Sequence, residues 1–180
     1  MKEYDNTNSE KLNIIVLTQE EHFFIPRNIF KASKVANVKC VVNNITKSSL
    51  TNKRSDFLKW FGIAQFAKMG ILVVIKKIMS LIDRLANYKT FKGENSIKDM
   101  AGYLGVDYKE ISDVNSDEFA DYVKKNNIDL IVSYSAPQIV REKVLSIPKY
   151  GIINVHGSLL PEYRGALPSF WYLYKNEKFG

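Results

Sequence analysis

Short apolar runs alternate with amphipathic segments along most of the chain. Strand-length apolar runs cover residues 12–18, 38–42, 129–134 and 151–155, and a weaker run near 103–112 is either a strand or a loop. The spacing of polar and apolar positions between them predicts helices over about 26–36, 117–125, 138–145 and 167–175. Strands that alternate with helices are typical of parallel sheets with right-handed crossovers. The pattern therefore predicts an α/β domain with a doubly wound, mostly parallel sheet.

The segment 47–92 interrupts this alternation. Its apolar run over 57–86 contains Lys68, Lys76 and Lys77, so that no uncharged stretch is long enough to span a bilayer. Because Gly70 is a poor helix residue, we expect two helices, at about 55–68 and 71–87. The chain is thus predicted to be one domain, 1–180, that carries a helical hairpin inserted at 47–92.

The inserted segment also holds the excess positive charge of the chain. The whole sequence has a net charge of +7, and residues 47–92 contain ten Lys or Arg against Asp56 and Asp83. Such a segment could bind tRNA phosphates, an anionic membrane surface or the diphosphate of a nucleotide sugar. Alternatively, its apolar side covers the sheet and its lysines face solvent. On a helical wheel Lys68 lies opposite Lys77 and Arg84, so the segment has no single basic face.

The remaining composition narrows the class of protein. A length of 180 residues with 46% apolar and 25% charged residues describes one folded domain with a substantial core. The single cysteine, Cys40, excludes an internal disulfide and a cysteine-rich metal site, and its apolar strand context predicts a buried thiol. The polar N-terminus has no apolar core of a signal peptide, so the expected location is the cytoplasm.

Two polar residues with catalytic potential stand at the end of the last predicted strand. Asn154 and His156 are two positions apart, so on an extended backbone their side chains point the same way. Open α/β sheets bind their ligands at this end of the strands. An imidazole can transfer protons near neutral pH, and a carboxamide can stabilise an oxyanion. On these grounds alone a purely structural role for the pair stays open.

The sequence around this pair resembles the signature of the folate-dependent formyltransferases. It reads Ile-Asn-Val-His-Gly-Ser-Leu-Leu-Pro over 153–161 and continues with Tyr-Arg-Gly over 163–165. The similarity extends from about residue 98 to the end of the chain. It implies a Rossmann-like catalytic domain that transfers a formyl group from 10-formyltetrahydrofolate, its co-substrate, to a primary amine without a metal.

The resemblance also assigns site residues. It implies that Asn154 and His156 are catalytic. It implies folate binding by the loop residues Ser135, Ala136, Pro137 and Gln138 and by the signature residues Ser158, Leu159, Leu160 and Pro161.

One member of the family's catalytic set has no counterpart in the sequence. In the family a catalytic Asp lies well beyond the His, and no Asp follows His156 here. We therefore expect an incomplete formyltransferase domain, and little or no catalysis by these 180 residues alone. A non-catalytic folate-binding remnant is the alternative of another class.

The identity of the acceptor amine is less constrained. The apolar insertion and Phe170-Trp171-Tyr172 are similar to the sugar N-formyltransferases, which favours the amino group of a nucleotide-linked amino sugar. Methionyl-tRNA is the alternative acceptor. His22 follows the first strand and could approach the substrate, although a structural role is expected. A dinucleotide-binding domain is disfavoured, because no Gly-x-Gly-x-x-Gly follows that strand.

Overall fold

A five-stranded parallel sheet forms the centre of the molecule. The computed structural model describes residues 11–45, 49–157, 160 and 174–175. The strands are β1 (Asn13–Thr18), β2 (Asn37–Asn44), β3 (Asp107–Ile111), β4 (Leu130–Tyr134) and β5 (Ile152–Val155). Their order across the sheet is β3-β2-β1-β4-β5, and every neighbouring pair is parallel. The predicted α/β class and sheet type are confirmed.

The strand order reverses next to β1. The chain runs outward from β1 through β2 to β3, and then crosses to the other side of β1 to form β4 and β5. The register places Leu17 beside Ser133 and Ser133 beside Asn154. In sheets of this kind a crevice opens at the carboxyl ends of the two strands where the order reverses. Here those strands are β1 and β4.

Helices cover both faces of the sheet. They are α1 (Ile25–Val35), α2 (Ser49–Leu85), α3 (Ile97–Leu104), α4 (Asp117–Lys125) and α5 (Glu142–Leu145). Ile29 of α1 and Met100 of α3 lie in one buried core, whereas Phe119 of α4 and Val144 of α5 lie in the other. Because β-strand side chains alternate between faces, neighbouring residues of β1 enter different cores: Ile15 packs with α4, and Val16 packs with α1.

One helix was missed by the sequence prediction, and another is shorter than predicted. Helix α3 was missed, although its first turn is capped by Ser96, whose Oγ accepts a hydrogen bond from the Asp99 amide at 3.0 Å. Gly105 ends it in the left-handed conformation, with φ of 66°. Helix α5 covers only Glu142–Leu145, because the preceding residues form a loop. The helix predicted at 167–175 lies almost wholly outside the described residues.

The break within α2 occurs at Gly62, so the prediction of a break at Gly70 was wrong. Gly62 has φ of 73° and ψ of 169°, a conformation that costs residues with a Cβ too much energy to be common. Gly70 keeps helical angles. The element therefore consists of a stretch at 49–61 and a second one at 63–85. Within the described part of the chain, no helix combines the length and the apolar character needed to cross a membrane.

The second stretch of α2 turns its apolar side away from the domain. We call this side the apolar stripe; its residues are Ile71, Val74, Ile78, Ile82 and Leu85, all exposed. On the opposite side, Ser80 and Asp83 are buried. The expectation that the apolar side of the insertion covers the sheet is therefore wrong for this stretch. The domain holds the helix by polar contacts instead.

Cys40 is fully buried in β2, as predicted, and its ionisation gives a testable pH dependence. Burial raises the pKa of the thiol from 9.0 to about 11. In the unfolded chain the thiol loses its proton first, so the unfolded state gains stability as pH rises from about 9 to 11. This shift corresponds to a loss of about 2–3 kcal/mol of folding free energy across that range. Urea unfolding of the wild type and Cys40→Ala at pH 8 and pH 11 measures it.

Other groups also titrate over this interval, so the comparison of the two proteins isolates the thiol. The difference in unfolding free energy between wild type and Cys40→Ala should shrink or reverse as pH rises. An unchanged difference would show that the native thiol ionises as readily as the unfolded one.

Candidate active site

Strand β5 places Asn154 and His156 at the carboxyl edge of the sheet. Asn154 lies in register beside Ser133 of β4 and is exposed. His156 directly follows the strand and is half-buried. Ile152 packs against the core beneath α4 and α5, and alternation directs Asn154 to the same side of the sheet. A carboxamide and an imidazole are thus both present where the sheet ends, accessible to a ligand.

The loop after β4 begins with an unusual backbone conformation. Ser135 has φ of 54°, in the left-handed region that non-glycine residues adopt rarely. Such conformations occur most often at turns and ligand sites. Ser135 and Pro137 are exposed, whereas Ala136 packs against the core beneath α4. The loop therefore turns sharply at the crevice between β1 and β4 and presents two of its residues to solvent.

Gln138 fixes the far end of this loop. Its Oε1 accepts hydrogen bonds from Asn44 Nδ2 at 2.9 Å and from the Val114 amide at 3.0 Å, and its Nε2 donates to the Ser112 carbonyl at 3.1 Å. One side chain thus joins the segments that follow β2, β3 and β4. Its amide group is occupied by these contacts, so Gln138 serves the site by holding the loop in place.

The second predicted folate segment is described only at one residue. Leu160 is 60% exposed. The other three residues assigned with it, Ser158, Leu159 and Pro161, lie outside the described residues. Their assignment to the folate pocket stays a prediction.

A cavity of about 430 Å³ opens between α2 and the ends of β1 and β3. It is lined by Glu20, His22, Val73, Lys77, Ser80, Leu81, Arg84, Ser96, Lys98, Tyr108 and Glu110. Lys77 and Lys98 bring positive charge to it, and Glu20 and Glu110 bring negative charge. Burial raises the pKa of the Glu20 carboxyl, and nearby His22 opposes this shift. Because the Glu20 side chain is 40% exposed to solvent, this pKa shift contributes little to the free energy of folding.

His22 has a structural contact with the turn that precedes α3. Its Nδ1 lies 2.9 Å from the carbonyl oxygen of Asn95, in the turn that precedes α3. An Nδ1–H tautomer donates this hydrogen bond. Burial also raises the pKa of Tyr108, whose hydroxyl accepts a hydrogen bond from Asn43 at 3.0 Å. His22 thus ties the loop after β1 to the wall of the cavity.

Acidic side chains attach α2 to this region. Asp83, which is fully buried, accepts hydrogen bonds from the amides of Phe91 at 2.7 Å and Gly93 at 2.8 Å. Arg84 donates from Nε to the buried Asp99 of α3, and this hydrogen bond raises the pKa of the Arg84 guanidinium. Neither carboxylate faces the catalytic pair. Their role is to hold the helix and the turn after it.

The described residues offer no cluster for a metal ion. No group of three or more His, Cys, Asp or Glu side chains converges anywhere in the part of the chain that the structure describes. Among the polar side chains at the sheet edge, β5 and the residue after it contribute the amide of Asn154 and the imidazole of His156. This set can move a proton and stabilise an oxyanion.

The sequence and the fold are both similar to known formyltransferases. A protein named bifunctional polymyxin resistance protein ArnA, from Wigglesworthia glossinidia brevipalpis, is 34% identical over 119 residues, which cover 66% of this chain and 18% of that protein. The methionyl-tRNA formyltransferase of Acetivibrio thermocellus is 39% identical over 82 residues, which cover 46% of this chain and 26% of that enzyme. The chain thus spans only about a quarter or less of these two relatives.

Among solved structures, glycinamide ribonucleotide transformylase 1 from Geobacillus kaustophilus superposes with a TM-score of 0.53 at 16% identity, over 92% of this chain and 69% of that chain. At this identity the likeness establishes the shared fold. Residues 71–179 match the sequence profile of the family described as formyl transferase, which is more than half of the chain. The chain therefore belongs to the formyl transferase family.

Proposed function

We propose that the complete gene product transfers a formyl group from 10-formyltetrahydrofolate to a primary amine. The observation that carries the proposal is the pair Asn154 and His156 at the end of β5, in a chain of the formyl transferase family. Both residues lie at the sheet edge where parallel α/β folds hold their substrates. The two groups have the chemistry that formyl transfer to nitrogen requires.

The proposed reaction needs proton transfers at two nitrogens and one stabilised oxyanion. His156 removes a proton from the acceptor ammonium, so that the neutral amine attacks the formyl carbon. The carbonyl oxygen becomes an oxyanion, which the carboxamide N–H of Asn154 stabilises. The proton that His156 holds passes to N10 of the folate, the bond between the formyl carbon and N10 breaks as the carbonyl re-forms, and the attacking nitrogen loses its second proton to the freed imidazole. The products are the formamide and tetrahydrofolate.

The pterin of the co-substrate is proposed to lie against the loop after β4. Ser135 and Pro137 are exposed there, and the left-handed turn at Ser135 presents backbone groups to the crevice. Gln138 supports the loop from behind through its three hydrogen bonds. The signature residues Ser158, Leu159, Leu160 and Pro161 are proposed to form the opposite wall.

The acceptor is proposed to be the amino group of an amino sugar carried on a nucleotide. The cavity beside the end of β1 supports this choice, because Lys77 and Lys98 supply positive charge for a diphosphate. Methionyl-tRNA is the second candidate, since the methionyl-tRNA formyltransferase of A. thermocellus is 39% identical over its aligned region.

A comparison of acceptors tests the proposal on the complete gene product. Purified protein is incubated with 10-formyltetrahydrofolate and either a dTDP- or UDP-linked amino sugar or methionyl-tRNA, and tetrahydrofolate release is measured together with the mass of the acceptor. We expect a gain of one formyl group on the amino sugar. Transfer to methionyl-tRNA alone would show that methionyl-tRNA is the acceptor, and the proposed formyl-transfer reaction would stand. Folate binding without transfer to any amine would overturn the enzymatic proposal in favour of a binding remnant.

A further inference from the structure

The outer side of α2 is an apolar surface of unusual size for a helix attached to a folded domain. In the apolar stripe, Ile71 is 61% exposed, Ile78 is 54% exposed and Leu85 is 81% exposed. The stripe follows the helical repeat from residue 71 to residue 85, so it is about 22 Å long at 1.5 Å per residue. A continuous apolar surface of this kind marks a binding face.

The contacts on the opposite side fix the orientation of the helix. Lys76 donates from Nζ to Asn95 Oδ1 at 3.2 Å, and Asp83 accepts hydrogen bonds from two backbone amides. Arg84 is bound to Asp99. Rotating the helix to bury the apolar stripe would break these contacts and leave the buried carboxylates of Asp83 and Asp99 without partners. The apolar stripe therefore faces outward as a consequence of polar contacts that are costly to lose.

Positive charge borders the apolar stripe. Lys68 lies on one side of it, and Lys77 lies on the other, by the 3.6-residue repeat of the helix. The described residues 58–85 contain one acidic side chain, Asp83, which is directed inward. An outward apolar surface flanked by cations matches the boundary of a bilayer, where acyl chains lie beneath anionic headgroups.

We propose that the apolar stripe of α2 binds an anionic lipid surface, with the helix lying parallel to the membrane plane. The apolar residues enter the boundary between headgroups and acyl chains, and the flanking cations contact lipid phosphates. The domain stays on the water side, because the inner side of the helix is bound to it. Lys77 also lines the cavity proposed for the diphosphate, so the two proposals share this side chain. The formyl-transfer chemistry itself does not depend on the attachment, which would place the domain at a membrane surface.

Charge disfavours the two other occupants. A second copy of the chain would carry the same excess of positive charge in its residues 47–92. Repulsion between the two positively charged segments would oppose association. A nucleic acid would need the cations on one continuous face, whereas here an uncharged stripe separates Lys68 from Lys77. An anionic bilayer can bind both groups at once, because its acyl chains contact the apolar residues and its phosphates contact the cations.

Vesicle flotation with the 180-residue chain and with the complete gene product tests the proposal. The vesicles are pure phosphatidylcholine, or the same lipid with about 30% phosphatidylglycerol to supply negative charge. We expect binding to the anionic vesicles at about 0.05 M NaCl, weakening at about 0.5 M as the charges are screened. Pure phosphatidylcholine should bind far less protein.

Paired variants separate the apolar and the charged contributions. Ile71→Gln with Leu85→Gln should lower the apparent affinity about tenfold or more, because both side chains lose their apolar contact with lipid. Its matched control replaces two equally exposed residues elsewhere, Val35→Gln with Ile139→Gln, and should bind as the wild type does. All four side chains are exposed, so we expect each variant to fold, and circular dichroism checks this.

A second pair addresses the cations. Lys68→Gln with Lys77→Gln should lower the affinity about 30-fold, from about 1 kcal/mol for each lysine near an anionic surface. Lys39→Gln with Lys125→Gln removes the same charge from exposed positions away from α2 and should change binding much less. Equal losses in both pairs would show that net charge alone drives binding, and would overturn the proposed role of the stripe.

A fluorescent label reports whether the stripe enters the lipid. Because Cys40 is buried, Ile78→Cys provides one accessible thiol for an environment-sensitive dye. Its emission should shift to the blue on anionic vesicles, and the same dye at Asp121→Cys of α4 should not respond. No vesicle binding, or a concentration-dependent dimer that Ile71→Gln with Leu85→Gln abolishes, would overturn the proposal; the dimer would assign the stripe to a second copy.

Discussion

Replacing His156 by alanine in the complete gene product is expected to lower kcat/KM for formyl transfer by about 10²- to 10⁴-fold, the usual contribution of a general base. The imidazole directly follows β5 at the carboxyl edge of the sheet, and the proposed reaction requires it to deprotonate the acceptor. The half-buried position suits a side chain that touches substrate and packs little of the core. Steady-state assays with saturating 10-formyltetrahydrofolate measure the effect.

His22 provides the matched control, since the two are the only histidines in this sequence. Its hydrogen bond to the Asn95 carbonyl is structural. His22→Ala should therefore lower the thermal stability of the protein and change kcat little. Asn154→Ala should lower kcat by about 10²- to 10³-fold through loss of one oxyanion donor. If His156→Ala keeps wild-type activity while folate binding is intact, the assignment of the general base is wrong.

Replacing Asp83 by alanine is expected to destabilise the turn after α2 by about 2–4 kcal/mol, because two buried backbone amides lose a charged acceptor. Its two oxygens accept from Phe91 at 2.7 Å and from Gly93 at 2.8 Å, and the side chain is fully buried. The same turn leads to Asn95 and Ser96, which border α3. Urea unfolding measures the global effect, and hydrogen exchange at residues 86–96 measures the local one.

Asp83→Asn keeps one acceptor oxygen but turns its NH2 group toward the second backbone N–H, so it should recover only part of the stability that the alanine variant loses. Asp121→Ala, on the exposed side of α4, should lose little. Protection that falls at 86–96 while the sheet amides stay protected would mean that Asp83 stabilises the turn alone. An alanine variant as stable as the wild type would contradict the role assigned to these hydrogen bonds.

The central sheet could be predicted because most of its strands are recognisable as short runs of apolar residues. Residues buried on both faces in a parallel sheet must be apolar throughout, and the runs ending at Thr18 and Tyr134 are of this kind. Strand β3 has polar side chains at Asp107, Lys109 and Glu110, because it lies at the edge of the sheet, and its pattern was accordingly ambiguous. Strand β5 also lies at an edge, with Ile153 and Val155 each 50% exposed, yet it could be predicted because its residues are mostly apolar.

The insertion shows what periodicity leaves open. The helical repeat of apolar residues correctly predicted helices with one apolar side, but it does not indicate which side of the helix contacts the domain. That choice is made by Asp83 and Arg84, whose partners lie at Phe91, Gly93 and Asp99, after the helix ends. Likewise, the sequence analysis predicted a break at Gly70, whereas the backbone geometry places the break at Gly62.

The residues of the candidate site also differ in how well the sequence predicts them. The place of Asn154 at the carboxyl end of β5 could be predicted from sequence, and alternation predicts that His156, directly after the strand, points to the same side. The role of Gln138 could not, since its partner Asn44 is 94 positions away and the two meet only through the order of the strands. Resemblance to a family predicts that the loop binds folate, and the hydrogen bonds show that Gln138 supports the loop.

The attachment of α2 through its polar side has an evolutionary consequence. The side chains that hold the helix and the side chains that it displays are different sets, so the outer set can change without loss of folding free energy. Selection on the displayed residues is then uncoupled from selection on the catalytic core. Related chains with the same polar anchor should carry outer surfaces of diverse chemistry, each fitted to its own surroundings, on an unchanged sheet.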